Sequence, residues 1–352
     1  MNGCSSVGRL HGVPESVQAR AEIPGFAGVR YRLNSKEDSQ AFAQEAINAG
    51  LKEFAYLGYE GIPKNPLPTH YLAISGGGDN GAFTAGLLNG WSASGTRPEF
   101  KLVTGVSTGG LVAPFAFLGE DYDAVLKSSY TETEPKDILK PRWLLTALLS
   151  DALADNTPLW GKVRKEVTRE MLDRIADEYK KGRLLLIGTT DLDDRTAVIW
   201  NMTKIASSQD PKALELFHSI MIASAAVPGA FPPVMIDVEA DGKKYQEMHV
   251  DGGTTSQVFV YPTTLRIRDI SKQYDLKREK NLYVIRNDRL DPDWGETERA
   301  IVSIAGKSIQ SLIHSQGIGD LYRIQSVAER DGLNFYLAFI PPDFKAPHKE
   351  EF

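Results

Sequence analysis

Ser107 lies in the pattern G-x-S-x-G, between Gly105 and Gly109, and follows the apolar run 100–104. Glycine weakens a strand because it has no side chain to pack, so these glycines indicate a tight backbone turn. A sharp turn between a strand and a helix exposes a serine hydroxyl at the end of a sheet, where it can attack an ester carbonyl. Gly110 and the apolar residues after it predict the helix. We therefore interpret Ser107 as a candidate nucleophile, with an ordinary glycine-rich turn as the alternative.

A second glycine cluster, SGGGDNG at 75–81, follows the short apolar strand YLAIS and opens a predicted helix. It matches G-x-G-x-x-G, the phosphate-binding turn of a dinucleotide site. Such a site needs an acidic residue at the end of the second strand, and here the nearest one, Glu99, precedes that strand. Dinucleotide binding therefore stays only as a rival hypothesis.

The same glycines fit an oxyanion hole. Free N–H groups at a glycine turn and a helix N-terminus stabilise the anion that forms when a serine attacks an ester. We assign Gly76, Gly77 and Gly78 to this hole. Gly77 and Gly78 are the expected donors, and Gly76 and Gly81 allow the turn.

Asp251 is the candidate base for the serine. It ends the predicted strand EMHV and precedes Gly252 and Gly253, so its carboxylate can approach another turn closely. An aspartate with an ordinary pKa near 3.9 is a weak base, but burial raises that pKa and a direct hydrogen bond supplies the geometry. His314 and His348 also lie downstream of the serine, but a predicted helix and a charged tail favour a structural or solvent-exposed role for them.

Three aspartates, Asp191, Asp193 and Asp194, lie between two predicted strands at 183–190 and 196–202. Their spacing does not complete a calcium loop, because the glycine and the distal glutamate are absent. Turn aspartates are the favoured interpretation. We expect no metal and no other cofactor.

Composition limits the classes of function. The chain has 352 residues, a net charge of −6, a pI of about 5.6 and no long basic run. Nucleic-acid binding is therefore disfavoured, and KREK at 277–280 fits a solvated helix face. No run of about 18 apolar residues occurs, so no membrane-spanning segment is predicted.

The single cysteine, Cys4, lies in Gly-Cys-Ser-Ser, which is similar to the end of a bacterial lipoprotein signal. The apolar segment that comes before such a cysteine is missing from the sequence. Lipidation at Cys4, which would tether the protein to a membrane, and a chance similarity in a soluble protein both stay open.

Strands alternate with helices from YLAIS onward, which predicts a parallel α/β sheet. We expect one core domain over 66–345, an N-terminal extension over 1–65 packed on it, and a C-terminal tail over 346–352. One amphipathic helix is predicted over 160–181. The apolar stretch 143–150 is interpreted as a core helix, with a lid or an interfacial surface as the alternative.

Taken in order, SGGGDNG, GVSTGG and DGG, together with SAAVPGAFPPV at 224–234, resemble the motifs of the patatin-like phospholipases. The resemblance covers roughly residues 70–255 and implies a three-layer α/β/α sandwich with a mainly parallel central sheet. It also implies Ser107 as nucleophile, Asp251 as general base and catalysis without a metal. The supporting glycines of the motifs are Gly81, Gly105, Gly109, Gly110, Gly252 and Gly253.

The implied activity is hydrolysis of lipid carboxylic esters through a Ser-Asp dyad and an acyl-enzyme, on a lipid or acyl-ester substrate at a membrane surface. The family commonly has a basic residue where this sequence has Asn80, which affects the expected handling of anionic headgroups. An acyltransferase that uses the same serine, and a non-catalytic lipid-binding lipoprotein, are the alternative functions.

Overall fold

A nine-stranded sheet organises the computed structural model of the chain, which describes residues 8–132, 135–141, 151–292 and 294–344. Cys4, the stretch 143–150 and His348 lie outside these residues. Two short strands, β4 and β5, form a separate ribbon. The strands are β1 Arg30–Arg32, β2 Thr69–Ile74, β3 Leu102–Val106, β4 Lys140–Pro141, β5 Ala154–Asp155, β6 Leu184–Asp191, β7 Thr196–Asn201, β8 Val234–Ala240, β9 Lys243–Asp251, β10 Lys280–Arg286 and β11 Asn334–Phe339.

The centre of the sheet is parallel. Strands β6, β3, β2, β10 and β11 are neighbours in this order, and each pair runs in the same direction. Strands β7 and β1 extend the sheet antiparallel beyond β6. The hairpin of β8 and β9 joins it through an antiparallel pairing of β9 with β6.

Helices cover both faces of the sheet, which confirms the three-layer α/β/α prediction. The helices are α1 Lys36–Tyr56, α2 Gly81–Ala93, α3 Thr108–Leu118, α4 Asp123–Thr131, α5 Thr157–Glu166, α6 Arg169–Lys180, α7 Met202–Ala206, α8 Ala213–Ser224, α9 Ile267–Gln273 and α10 Ile301–Asp331. Neighbouring residues of one strand, such as Leu185 and Leu186 of β6, enter different hydrophobic cores. Helices α2, α3, α6 and α8 contribute to the first core, and α1 and α10 to the second. The strands are therefore apolar on both sides, as expected of a buried parallel sheet.

Three local predictions differ from the structure. KREK at 277–280 lies on no helix face, because α9 ends at Gln273 and Lys280 already begins β10. The segment 160–181 contains parts of two helices, not one, because Thr168 caps a new helix by accepting a hydrogen bond from the Met171 N–H at 3.3 Å. Strand β8 was not predicted, although its buried positions alternate with half-buried or exposed ones, which is the period of a strand.

Residues before β2 contribute directly to the sheet, because β1 pairs with β7. The domain boundaries at 65 and 345 remain a prediction. Within the described part of the chain, no helix combines the length and the hydropathy that a membrane span requires.

Candidate active site

The register of β6 brings Ser107 and Asp251 together. Strand β3 lies parallel to β6 and ends with Val106 paired to Gly188. Strand β9 lies antiparallel to β6 and ends with Asp251 paired to Thr189, the next residue of β6. Strands β3 and β9 therefore both lie along β6, and their ends meet where the turn that carries Ser107 begins.

The turn at Ser107 is as tight as the glycines predict. Ser107 has φ 55° and ψ −127°, a conformation that non-glycine residues seldom adopt. A β-carbon at Gly105 would overlap the backbone of Gly109, and one at Gly109 would overlap the carbonyls of Ile74 and Ser75. Only glycines allow helix α3 to lie this close to the ends of β2 and β3.

A neighbouring helix supports the strained turn. The Ser107 N–H donates to Ser224 Oγ at 3.0 Å, and the Ser224 hydroxyl donates to the Gly188 carbonyl at 2.7 Å. Ser224 is the last residue of α8, within the SAAVPG segment singled out in the sequence. Ser224 therefore connects the turn that carries Ser107 to β6.

Ser107 Oγ donates a hydrogen bond to Asp251 Oδ2 at 2.6 Å. The other carboxylate oxygen of Asp251 accepts from the Gly253 N–H at 2.7 Å. Burial raises the pKa of Asp251 to about 7, against the opposing effect of the hydrogen bonds from Ser107 and Gly253. A carboxylate with a pKa near neutrality is suited to accept a proton from a hydroxyl.

The glycine loop lies beside the serine. A β-carbon built on Gly76 would lie 3.1 Å from Ser107 Cβ. The Gly76 N–H donates to the Gln257 carbonyl at 3.0 Å, so it is not free to receive an oxyanion in this conformation. Gly77 and Gly78 have φ values of 150° and 55°, and they open the 3-10 turn Gly78–Asn80, where the first N–H groups have no acceptor within the helix.

Asn287 holds the glycine loop in place, a role that the sequence pattern did not indicate. Its backbone N–H donates to Ser75 Oγ at 2.8 Å, and its side-chain amide donates to the Ser75 carbonyl at 2.9 Å. Its Oδ1 accepts from Thr84 Oγ1 at 2.6 Å. A β-carbon on Gly77 would overlap the Asn287 carbonyl. A polar residue at the carboxyl end of the predicted strand NLYVIRN was the available signal.

Gln257 links the glycine loop to the turn that carries Asp251. Its carbonyl accepts from Gly76, and its side-chain amide donates to the Gly253 carbonyl at 2.8 Å. Asp320, buried on α10, accepts from the Gln257 N–H at 2.7 Å. The glycine loop, the turn that carries Asp251 and helix α10 are thus fixed relative to one another, although they are distant in sequence.

A pair of hydroxyl groups borders the site. Thr108 Oγ1 lies 2.6 Å from the hydroxyl of Tyr130, whose pKa burial raises to about 12. A β-carbon on Gly81 would overlap both oxygens. Gly81 therefore lets the glycine loop lie directly against the start of α3.

The histidines do not form a triad with the serine in the described residues, where Ser107 Oγ bonds only to Asp251. His314 Nδ1 lies 3.4 Å from Asp288 Oδ2. His249 Nδ1 lies 2.9 Å from Thr189 Oγ1, and its Nε2 lies 3.2 Å from Glu247 Oε2.

The aspartates between β6 and β7 do not converge. Asp191 accepts from the Asp193 N–H at 3.0 Å, and the Asp193 carboxylate pairs with Arg9 at 2.7 Å. Asp191, Glu247 and His249 are buried, and one potential ligand atom from each lies within 4.8 Å of the others. The charge of Glu247 is, however, already matched by arginines from β1.

A serine on a strand-to-helix turn, in an α/β sheet covered on both faces, is an arrangement characteristic of serine hydrolases. The chain belongs to the patatin-like phospholipase family, because the model of that family matches residues 72–263. The matched range contains the glycine loop, Ser107 and Asp251.

Solved structures with distant similarity include VipD from Legionella pneumophila, at 14% identity and a TM-score of 0.41, with 81% of this chain and 64% of that chain covered. A structure of SpcU in complex with ExoU from Pseudomonas aeruginosa matches at 14% identity and a TM-score of 0.33, covering 75% and 53%. Human GIVD cytosolic phospholipase A2 matches at 10% identity and a TM-score of 0.36, covering 92% and 55%. The chain therefore spans less than two thirds of each of them. No curated protein matches it.

Proposed function

We propose that the protein hydrolyses carboxylic esters of lipids, with Ser107 as nucleophile and Asp251 as general base. The observation that carries the proposal is the 2.6 Å hydrogen bond from the Ser107 hydroxyl to a buried carboxylate with a pKa of about 7. Membership of the patatin-like phospholipase family supplies the substrate class, a lipid acyl ester.

In the first step, Ser107 Oγ attacks the ester carbonyl carbon while Asp251 takes the hydroxyl proton. The tetrahedral intermediate collapses, the ester C–O bond breaks, and Asp251 returns the proton to the leaving alcohol. In the second step, water attacks the acyl-serine and gives its proton to Asp251. The fatty acid leaves, and Ser107 regains its proton.

The oxyanion of each tetrahedral intermediate needs backbone donors. We assign this role to the N–H groups of Gly77 and Gly78, because Gly76 is already bonded to Gln257. Thr108 adds a third candidate, since the residue after the nucleophile supplies a donor in strand-turn-helix hydrolases. Loss of one such donor lowers turnover by about 10² to 10³.

The test is labelling of the full chain with a fluorophosphonate probe, combined with analysis of the products released from phosphatidylcholine. We expect the probe on Ser107, loss of labelling and of fatty-acid release in Ser107→Ala, and strong loss of both in Asp251→Asn. Ser326→Ala, an exposed serine on the outer face of α10, is the matched control and keeps full activity.

Added glycerol separates the two acyl-transfer outcomes, because an acyltransferase forms acylglycerol at the expense of free fatty acid. Fatty acid as the main product supports the hydrolase. A folded wild-type chain that neither reacts with the probe nor releases fatty acid contradicts the proposal and favours a non-catalytic lipid-binding protein.

A further inference from the structure

Helix α10 is longer than the sheet that it covers. Its 31 residues extend about 46 Å, whereas the seven residues of β10 extend only about 23 Å. Because β10 and β11 are parallel, the helix that connects them starts at the carboxyl edge of the sheet and returns to the amino edge. Part of the helix must therefore extend beyond the sheet.

The contacts of α10 show which part extends. His314 lies against Asp288 just after β10, and a β-carbon on Gly317 would overlap Arg286 at the end of β10. Among the helix residues whose burial the structure describes, the first buried one is Gly317. Residues 301–313 therefore project about 20 Å past the carboxyl edge. The turns of Ser107 and of the glycine loop lie on this same edge, after β3 and β2.

The projecting part of α10 is turned with its apolar side outward. Ser303, Lys307 and His314 are half-buried, at helical spacings that place them on one face. The large apolar side chains that the structure describes in this part are exposed, and Leu312 is 70% exposed. They are Ile301, Ile304, Ile309, Leu312 and Ile313. Trp294, shortly before the helix, is 92% exposed. An apolar surface of this kind marks an interaction site.

The charges of the projecting helix itself fit a surface that carries phosphate groups. Between Glu298 and Asp320 the sequence has no carboxylate and two fixed cations, Arg299 and Lys307, whereas four carboxylates, Asp291, Asp293, Glu296 and Glu298, lie in the segment around Trp294. Isoleucine and leucine side chains on one face, with tryptophan and cations beside them, are typical of helices that lie in the headgroup region of a bilayer.

We propose that the projecting residues 301–313 of α10 form a docking surface for a phospholipid bilayer. The inference rests on the proposed lipid hydrolase function, since it places the substrate-bearing membrane at the edge of the sheet where Ser107 lies. The same helix supplies Asp320, which holds Gln257 beside the glycine loop. Docking through α10 thus brings the site close to the lipid surface.

The test is flotation of the full chain with vesicles of phosphatidylcholine and phosphatidylglycerol in equal amounts. All proteins carry Ser107→Ala, so that lipid is not consumed, and Cys4→Ser, so that no acyl anchor contributes. We expect Ile309→Ser combined with Leu312→Ser to lower the partition coefficient roughly 100-fold, because two exposed apolar side chains no longer enter the bilayer. Both side chains are exposed, so the substitutions leave the fold intact.

Leu67→Ser is the matched control, because Leu67 is also exposed but lies just before β2, at the opposite edge of the sheet. It keeps wild-type partitioning. With Ser107 restored, the double variant hydrolyses a soluble short-chain ester at the wild-type rate and loses activity only on vesicles. Partitioning is measured without catalysis, so a chain that binds vesicles but cleaves no ester contradicts the proposed function and not the docking surface.

Two results overturn the docking proposal. One is a double variant that partitions into vesicles as well as the wild type does. The other is a wild type that does not float with vesicles but forms a dimer in sedimentation, with the dimer lost in the double variant, which would assign the surface to a second copy of the chain.

Discussion

Strand β9 carries two buried carboxylates, Glu247 and Asp251, in opposite electrostatic environments. Glu247 accepts hydrogen bonds from Arg30 and, at 2.8 Å, from Arg32, both of strand β1. Burial by itself raises the pKa of Glu247, but the charge of Arg30 and the hydrogen bond from His249 outweigh it and hold the pKa well below its usual range.

Asp251 lies four residues further along the same strand. Among the described residues it has no cationic partner, and burial raises its pKa to about 7. The difference teaches that burial does not decide what a carboxylate does. A carboxylate matched by arginines stays ionised and holds β1 against β9, whereas one left with a hydroxyl and an amide is kept basic enough to take a proton.

Asp251→Asn should produce the largest effect. We expect the kcat/KM for ester hydrolysis to fall by about 10³ or more, because the amide cannot accept the proton of Ser107. Steady-state kinetics on a soluble ester measure it. Activity near the wild-type level in Asp251→Asn would remove this residue from the mechanism.

Glu247→Gln should act on stability. Replacing this carboxylate leaves Arg30 and Arg32 buried without a counter-charge, which costs about 3–5 kcal/mol of the free energy of unfolding. Urea denaturation measures the loss. Asp241→Asn, which breaks the exposed pair with Arg20, serves as the control and should change stability far less. Equal losses in the two variants would show that the buried network does not hold β1 and β9 together.

Asn287→Ala tests whether the site at the end of β9 also depends on the side chain that holds the glycine loop in place. Without the side-chain bonds to Ser75 and Thr84, the glycine loop loses its fixed position. We expect kcat to fall about 10- to 100-fold with KM nearly unchanged, since positioning of donors acts on the transition state. Asn89→Ala, on α2, is the control. A change in KM alone would show that Asn287 serves substrate binding.

The smallest expected effect is a gain in stability in Asp251→Asn at alkaline pH. The folded-state pKa of Asp251 is raised from 3.8 to about 7, so the native state binds more protons than the unfolded state between these values. Wild-type stability therefore falls as pH rises through this range. We expect the variant to be about 1–3 kcal/mol more stable at about pH 8, with the difference gone near pH 4. A variant equally stable or less stable at alkaline pH would show that the carboxylate is not strained by burial.

The sequence indicated the position of Asp251 but gave no sign of the role of Glu247. Asp251 was predictable because a strand that ends in Asp-Gly-Gly signals a carboxylate at a close backbone approach. Glu247 was not, because its partner Arg30 lies 217 positions away and the pairing depends on β1 joining the sheet. Short apolar runs predicted the parallel strands. The meeting of β3 and β9 depends on the register with which each pairs with β6, and no local sequence pattern specifies that register.

The most direct test of the dyad is the pH dependence of the rate at which the fluorophosphonate probe reacts with Ser107. The account predicts a rate that rises about tenfold per pH unit and reaches half its maximum near pH 7, as Asp251 ionises. It also predicts that Asp251→Asn loses this dependence together with most of the rate, while Glu247→Gln keeps the midpoint. A rate that is independent of pH across this range, or a midpoint that survives in Asp251→Asn, would contradict the claim that Asp251 is the base.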